Sequence, residues 1–295
     1  MTGSFKLARV MGIEIEVHYT WLFALALITW SLAQGFFPTA FPTFDPLTDW
    51  VLGFVSALLL FASVLIHELS HSFVAMKRGL VVSGITLFIF GGVSRIAGEP
   101  RGPKDEFAMS VAGPLTSFAL AGCFWLLGQI LGPAETPATA VTWYLAFVNL
   151  ALGAFNLVPG FPLDGGRVLR SLVWGATHNF RRATQVATVV GQVFGFLLIG
   201  WGMVQLLAGD FLGGVWTAFL GWFLNSAAEA TRHAELAAVR PLMSVPAGTT
   251  LSSALKALAD QDIYEVWVTE DGRVVGLLKR AADGARDGHR VTARA

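Results

Sequence analysis

The residues best suited to chemistry lie in one short stretch, Leu65-Ile66-His67-Glu68-Leu69-Ser70-His71-Ser72. His67 and His71 are four apart, so on a helix both imidazoles lie on nearly the same face and can reach one metal ion. Glu68 projects about 100° further round, close enough to handle the water such a metal activates without itself being a ligand. Two histidines and an adjacent carboxylate at this spacing are what metal-assisted hydrolysis needs: a Lewis acid, an activated water and a proton shuttle. The setting is unusual, because residues 50–66 carry no charge. The motif therefore sits toward the end of a predicted membrane-spanning helix.

Two histidines leave a metal short of a third protein donor, and the candidate is another polar residue buried at similar depth. Asp164 is the only carboxylate between Glu135 and Asp210. It stands in Pro159-Gly160-Phe161-Pro162-Leu163-Asp164-Gly165-Gly166-Arg167, whose prolines and glycines supply the irregular backbone that could aim a carboxylate inward. The competing reading of Asp164 is an N-cap for the helix that follows. Ionisable groups facing hydrocarbon are costly without a function, which weighs the histidine pair toward a site.

Composition agrees with a membrane setting. The chain has 295 residues, 54% hydrophobic and 14% charged, where a soluble domain carries roughly a quarter charged residues. Twenty basic and twenty acidic side chains cancel, so charge makes no case for nucleic acid as a partner. The single cysteine, Cys123, excludes an internal disulfide and reads as a small buried hydrophobe. The first apolar run begins near Tyr19 and is long enough to stay in the membrane rather than be cleaved as a signal.

Six apolar runs predict spans at about residues 21–37, 50–76, 107–131, 141–158, 184–207 and 211–228. Residues 12–19 alternate apolar Ile13, Ile15 and Val17 with Glu14, Glu16 and His18, the pattern of a strand with one wet face. Residues 79–94 are apolar but β-branched and broken by Gly84 and Gly91-Gly92, which predicts a hairpin or re-entrant strand pair. Gly113-Pro114 inside the third span predicts a kink. Lys6, Arg9, Lys77, Arg78, the basic residues of 95–104 and 167–182, and Arg232 fall on one side of this arrangement. The opposite loops hold no Lys or Arg, so both termini are expected in the cytoplasm. His67 would lie ~13 Å inside the cytoplasmic end of its helix.

The fold class expected is thus an all-α polytopic membrane protein of about six helices, with a small membrane-associated β-hairpin or sheet and a small α+β tail. Its parts are an N-terminal interfacial strand segment (1–19), a membrane domain (20–230) with a hairpin at about 80–96, a soluble segment (240–280) and a disordered tail (281–295). Within the soluble segment, a helix at 251–258, strands at 265–269 and 274–278, and a turn at 271–272 are expected. His18, His178, His233 and His289 read as ordinary surface residues.

Taken together, His67-Glu68-Leu69-Ser70-His71 on the second span and Asn156-Leu157-Val158-Pro159-Gly160-Phe161-Pro162-Leu163-Asp164-Gly165-Gly166-Arg167 after the fourth resemble the site-2 protease family of intramembrane zinc metalloproteases. Phe90-Gly91-Gly92-Val93-Ser94-Arg95 and Ala112-Gly113-Pro114 resemble that family's segments between the two motifs, and the likeness covers about residues 10–230. The resemblance implies one zinc ion per chain held by His67, His71 and Asp164, with Glu68 as general base and then acid. It implies for Asn156 a hold on the substrate backbone or the oxyanion, against a plain helix-packing amide. The implied substrates are transmembrane proteins, cut near the cytoplasmic face of a prokaryotic cytoplasmic membrane. A protease needs an extended substrate, and a free strand edge can supply pairing by β-addition. Phe88, Ile89, Phe90, Gly91, Gly92 and Val93, together with residues 12–19, are the expected edge. Residues 240–280 resemble one cystathionine-beta-synthase (CBS) repeat, which implies either pairing of two chains or an adenine nucleotide site. The reading from another class is a transporter or channel with a CBS-type regulatory tail, its buried polar groups lining a pathway.

Overall fold

Polar residues placed just before the apolar runs start the long helices. Asp45 caps helix α3 (Pro46–Lys77), accepting from the Leu47 and Thr48 amides at 3.0 and 3.1 Å, with Pro46 in the first turn. Thr136 caps α5 (Pro137–Asn156) through the Thr139 amide, and Asn179 caps α7 (Phe180–Leu207) through the Arg182 amide. Helix α4 (Pro103–Leu131) opens with Pro103 and with Asp105 and Glu106 in its first turn, which suits the positive end of the helix dipole. Helix α6 (Asp164–Thr177) ends at His178, which adopts the left-handed conformation of a helix stop.

The computed structural model describes residues 3–89, 91–98, 100–133, 136–238, 244–246, 265–270 and 273–279. They form two compact units, Met1–Arg232 and His233–Ala295. The first span is composite: α1 (Thr20–Ser31), a π-helical turn (Leu32–Phe36) and α2 (Phe37–Ala40). Among the described residues, five helical stretches are long and apolar enough to cross a membrane: Thr20–Ala40, α3, α4, α5 and α7. Helix α8 (Phe211–Ala238) covers the sixth stretch expected to span but is not among these five. Asn225 lowers the mean hydropathy of an otherwise apolar run. Helix α3 has 32 residues, ~48 Å at 1.5 Å per residue, longer than a ~30 Å hydrocarbon layer. Pro114 lies inside α4, and the helix continues on both sides of it.

Between 28 and 50% of each candidate span's most apolar window is buried within the protein. The remainder exposes large side chains such as Trp30, Leu127, Phe196 and Trp201. Apolar surface on that scale needs lipid or a partner to cover it.

The expected hairpin is part of a larger sheet. Strands β1 (Ser4–Val10), β2 (Ile13–His18), β3 (Val81–Phe88) and β4 (Gly91–Ala97) pair in that order. β2 runs parallel to β3, and the other pairs are antiparallel. The alternation in β2 holds: Ile13, Ile15 and Val17 are buried while Glu14, Glu16 and His18 are half-buried. Ile13 and Ile85 pack with Ala75 of α3 and Met109 of α4, seating the sheet against the helices that carry the histidines and the glycine-proline pair. On the wet face Arg95 of β4 reaches Glu16 of β2 through two nitrogens, at 3.0 and 2.9 Å. That guanidinium holds the Glu16 carboxyl down at about 2, from an ordinary 4.5.

One expectation is corrected by this order. Residues 12–19 cannot offer a pairing edge, because β2 has β1 on one side and β3 on the other. The N-terminal segment is a hairpin rather than one strand, and β1 takes the place that a substrate strand would need. The outer edge on the motif side belongs to β4.

In the second unit, β5 (Ser244–Pro246), β6 (Glu265–Glu270) and β7 (Arg273–Lys279) form a three-stranded sheet. β5 is parallel to β6 and β6 antiparallel to β7. The two expected strands are thus present; the expected helix at 251–258, the turn at 271–272 and the tail at 281–295 lie outside the described residues.

Candidate metal centre

Three side chains from two distant helices converge on one point. His67 and His71 come from α3, and Asp164 is the first residue of α6. His67 Nε2 and His71 Nε2 lie 3.2 Å apart, and each is within 3.2 and 3.1 Å respectively of Asp164 Oδ2. Asp164 does not serve as an N-cap: Leu163 holds that position, and the carboxylate is turned to the histidines. Among the described residues this is the one group of three or more His, Cys, Asp or Glu side chains with metal-site geometry.

The proton on the His71 imidazole is fixed from behind. His71 Nδ1 lies 2.7 Å from the Met109 carbonyl, which can only accept, so Nδ1 carries the hydrogen. His67 Nδ1 lies 2.9 Å from the buried Ser117 hydroxyl, which can accept likewise. Neutral rings protonated at Nδ1 present lone pairs at Nε2. With His67 in the same tautomer as His71, two nitrogen lone pairs and a carboxylate oxygen face one another, an arrangement that suits a cation. A tetrahedral zinc with bonds of 2.0–2.1 Å has ligand atoms ~3.3 Å apart, close to the observed triangle.

Gly113 of α4 leaves room for the ion. A Cβ there would stand 2.1 Å from His71 Nε2 and 2.5 Å from His67 Nε2, about where a bound metal belongs. The donor set, the tautomers and the open volume all fit a zinc-like ion.

Glu68 lies beside this triangle without joining it. Its Oε2 accepts from the Ser94 hydroxyl at 2.8 Å, and Ser72 donates to Ser94 at 3.3 Å. Ser94 belongs to β4, so the sheet's free edge is tied to the carboxylate. Gly92, also on β4, presses its backbone on Glu68: a Cβ at Gly92 would be 2.6 Å from Glu68 Cγ. Phe88 closes β3 opposite Gly91, and the Ile89 amide donates to Thr20 Oγ1 at 3.3 Å. Val93 pairs with Thr86, whereas Phe90 lies outside the described residues.

Asn156 is not brought into the triangle's hydrogen bonds. It is the last residue of α5, and its amide donates to the Leu152 carbonyl of its own helix at 3.0 Å. The better-buried asparagine is Asn149, which donates to Ser63 Oγ at 3.2 Å and to the Leu145 carbonyl at 2.8 Å, joining α5 to α3.

Several residues that matter here orient the donors rather than join them. Met109, Ser117 and Ser94 orient the histidines and the glutamate. Glu106 and Arg170, both fully buried, link α4 to α6. A signal for Glu106 did exist: Pro103 followed by Asp105 and Glu106 is a helix start rather than a connecting loop.

The profile of Peptidase family M50 matches residues 55–139 and 132–198, a range that holds the histidines, Glu68 and Asp164. Rip3 of Mycobacterium tuberculosis, whose name marks it as a proposed zinc metalloprotease, is 43% identical over 231 residues, 78% of this chain and 58% of its own length. The chain thus spans somewhat more than half of that relative. MJ0611 of Methanocaldococcus jannaschii, similarly named, is 30% identical over 164 residues, which are 48% of this chain and 81% of that protein. Among solved structures, the site-2 protease from Methanocaldococcus jannaschii superposes with a TM-score of 0.52 at 28% identity, covering 77% of this chain and 94% of that one. A transporter or channel reading has no such support. The paired motifs, the converging donors and these relatives lead to one conclusion: the chain belongs to Peptidase family M50, the site-2 protease family.

Proposed function

We propose that this chain is an intramembrane zinc endopeptidase. It hydrolyses peptide bonds within or near transmembrane segments of membrane-protein substrates near the cytoplasmic face, in regulated intramembrane proteolysis. The observation that carries the reading is the convergence of His67, His71 and Asp164 beside Glu68 and the free edge of β4.

In this reading His67, His71 and Asp164 hold zinc. When bound, zinc supplies a Lewis acid that polarises the scissile carbonyl and raises the acidity of the attacking water. Glu68 takes the proton released on attack and returns it to the leaving amine. The Ser94 hydrogen bond holds Oε2 in place, leaving Oε1 for the incoming proton. β4 offers unpaired backbone groups along its outer edge, so an unwound substrate segment can add as a further strand. Gly91, Gly92 and Val93 lie on that strand; Phe88, Ile89 and Phe90 lead into it. Because Gly92 has no side chain, a paired substrate backbone comes close to Glu68. Asn156, at the mouth of the 157–163 loop, gives one amide hydrogen to the Leu152 carbonyl and keeps a second with which to hold substrate or an oxyanion.

The Lys and Arg bias of the loops supports a cytoplasmic position for both termini, with six spans if α8 crosses, and the membrane of this reading is a prokaryotic cytoplasmic membrane. The bilayer is the partner that covers the exposed apolar faces. The tail's role as a CBS-type module, pairing two chains or taking an adenine nucleotide, rests on sequence resemblance. Titration of the full chain with adenine nucleotides, alongside its sedimentation, tests it.

The deciding experiment is zinc content and cleavage of a co-expressed membrane substrate, wild type against Glu68→Gln. Wild type should hold zinc one to one and cut; Glu68→Gln should hold zinc and not cut. A purified protein without zinc, or a Glu68→Gln variant that cuts as well as wild type, overturns the proposal.

A further inference from the structure

Helix α4 donates no ligand, yet every donor leans on it. Glu106, Met109, Gly113 and Ser117 are spaced three, four and four residues apart, which puts them on one face of the helix. All four are buried. The Met109 carbonyl accepts from His71, Ser117 partners His67, and Gly113 faces both Nε2 atoms. Glu106 completes the series by reaching the third donor's helix. Its Oε1 accepts from Arg170 Nε at 2.6 Å, with Arg170 Nη2 also in contact and Arg167 Nε 3.8 Å away. The Arg170 guanidinium lies 5.1 Å from the Phe161 ring and 4.6 Å from the Phe180 ring, so α4, the 157–163 loop and α7 all meet on it.

We propose that Glu106 is a positioning residue of the metal centre: through Arg170 it sets the rotation of α6, and so the place of Asp164. This rests on the reading that His67, His71 and Asp164 bind zinc. A helix with side chains is ~10–12 Å across, so turning α6 by ~10° moves its side-chain tips by ~1 Å. Metal ligands tolerate ~0.2 Å, which demands that α6 be held to ~2°. Apolar packing alone specifies direction weakly. A charge-assisted guanidinium–carboxylate contact specifies it strongly, because its donors lie in a rigid plane. Burying the pair is an expensive way to gain stability, since apolar replacements of similar volume are often as stable. What the pair adds is direction.

The test separates the two roles in the full chain purified in detergent, with Glu106→Gln, Arg170→Lys and the apolar double variant Glu106→Leu/Arg170→Met. Three readouts are taken: zinc affinity by competition with a chelator, the visible spectrum of the cobalt-loaded protein, and thermal unfolding of the metal-free protein. Glu106→Gln and the double variant should bind zinc ~10–100-fold more weakly, as outer-shell losses do, with a changed cobalt spectrum. The double variant should unfold metal-free at nearly the wild-type temperature, and Arg170→Lys should retain part of the affinity. Should Glu106→Gln not fold, the double variant decides. A folded variant that has lost the pair but keeps wild-type zinc affinity and the wild-type cobalt spectrum overturns the proposal. Wild-type protein that binds neither metal overturns the zinc reading itself, an outcome distinct from variants that bind like wild type.

Discussion

Gly113→Ala tests the metal centre more sharply than removal of a ligand does, because it adds one carbon and removes nothing. The new Cβ would lie 2.1 Å from His71 Nε2 and 2.5 Å from His67 Nε2. Ordinary carbon–nitrogen contact is ~3.5 Å, so both rings must retreat by ~1 Å, several times the ~0.2 Å that metal coordination tolerates. Retreat also strains the bonds to Met109 and Ser117, at ~1 kcal/mol each. Alanine returns ~1 kcal/mol through its better helix propensity, so metal-free stability should fall by only ~1 kcal/mol. Zinc affinity should fall at least ~100-fold, removing ~2.7 kcal/mol of zinc-dependent stabilisation. The assay is thermal unfolding of detergent-purified protein across buffered zinc concentrations, with chelator as the baseline. Gly122→Ala on the same helix is the control, since a Cβ there meets nothing within 4 Å. If Gly113→Ala keeps the wild-type zinc response, the ion does not sit between these rings and α4.

Other consequences can be checked in the same preparation. Proline at Gly91 or Val93 should lower cleavage while leaving zinc content intact, because it disables a donor on β4 or bends the edge; unchanged cleavage would remove the strand-addition step. Glu16 has its carboxyl held at about 2, down from 4.5, so its pairing with Arg95 stabilises the sheet above pH 4.5 and loses that contribution as pH falls toward 2. Glu16→Gln should therefore unfold with a shallower pH dependence across that window, and equal slopes would contradict the bridge. Gly165→Ala should dislodge the loop before α6, since its Cβ would be 2.3 Å from the Val158 carbonyl, costing at least ~2 kcal/mol by overpacking and lowering zinc affinity along with stability.

How far the sequence could be read follows from what each residue contributes. His67, His71 and Asp164 were legible because ionisable groups in apolar runs stand out against the energetic cost of placing them there. Five of the six expected spans were legible for the complementary reason, and the strand alternation of Ile13, Ile15 and Val17 survives in the structure because one face of β2 is buried. The partner of β2 was not legible. Parallel pairing with β3 joins residues about seventy positions apart, and neither strand's period encodes its neighbour. That long-range pairing is what takes the free edge away from residues 12–19 and leaves it with β4.

The orienting groups were hidden for a different reason. Met109 acts through its carbonyl, which every residue has; Gly113 stood out only as part of a kink and a family-like segment, yet acts by lacking a side chain; Ser117 is one of several serines and threonines in an apolar helix. Glu106 fell just outside the span expected at 107–131, beside the charged Lys104 and Asp105. Only the common helical face of these four residues gives them one meaning, and that face is defined by where α3 and α6 lie against it. A metal site split between two distant segments needs a third element to hold the halves in register. In this chain that element lies between them in sequence, and it shapes the centre with a carbonyl, a hydroxyl, an absent side chain and a buried charge.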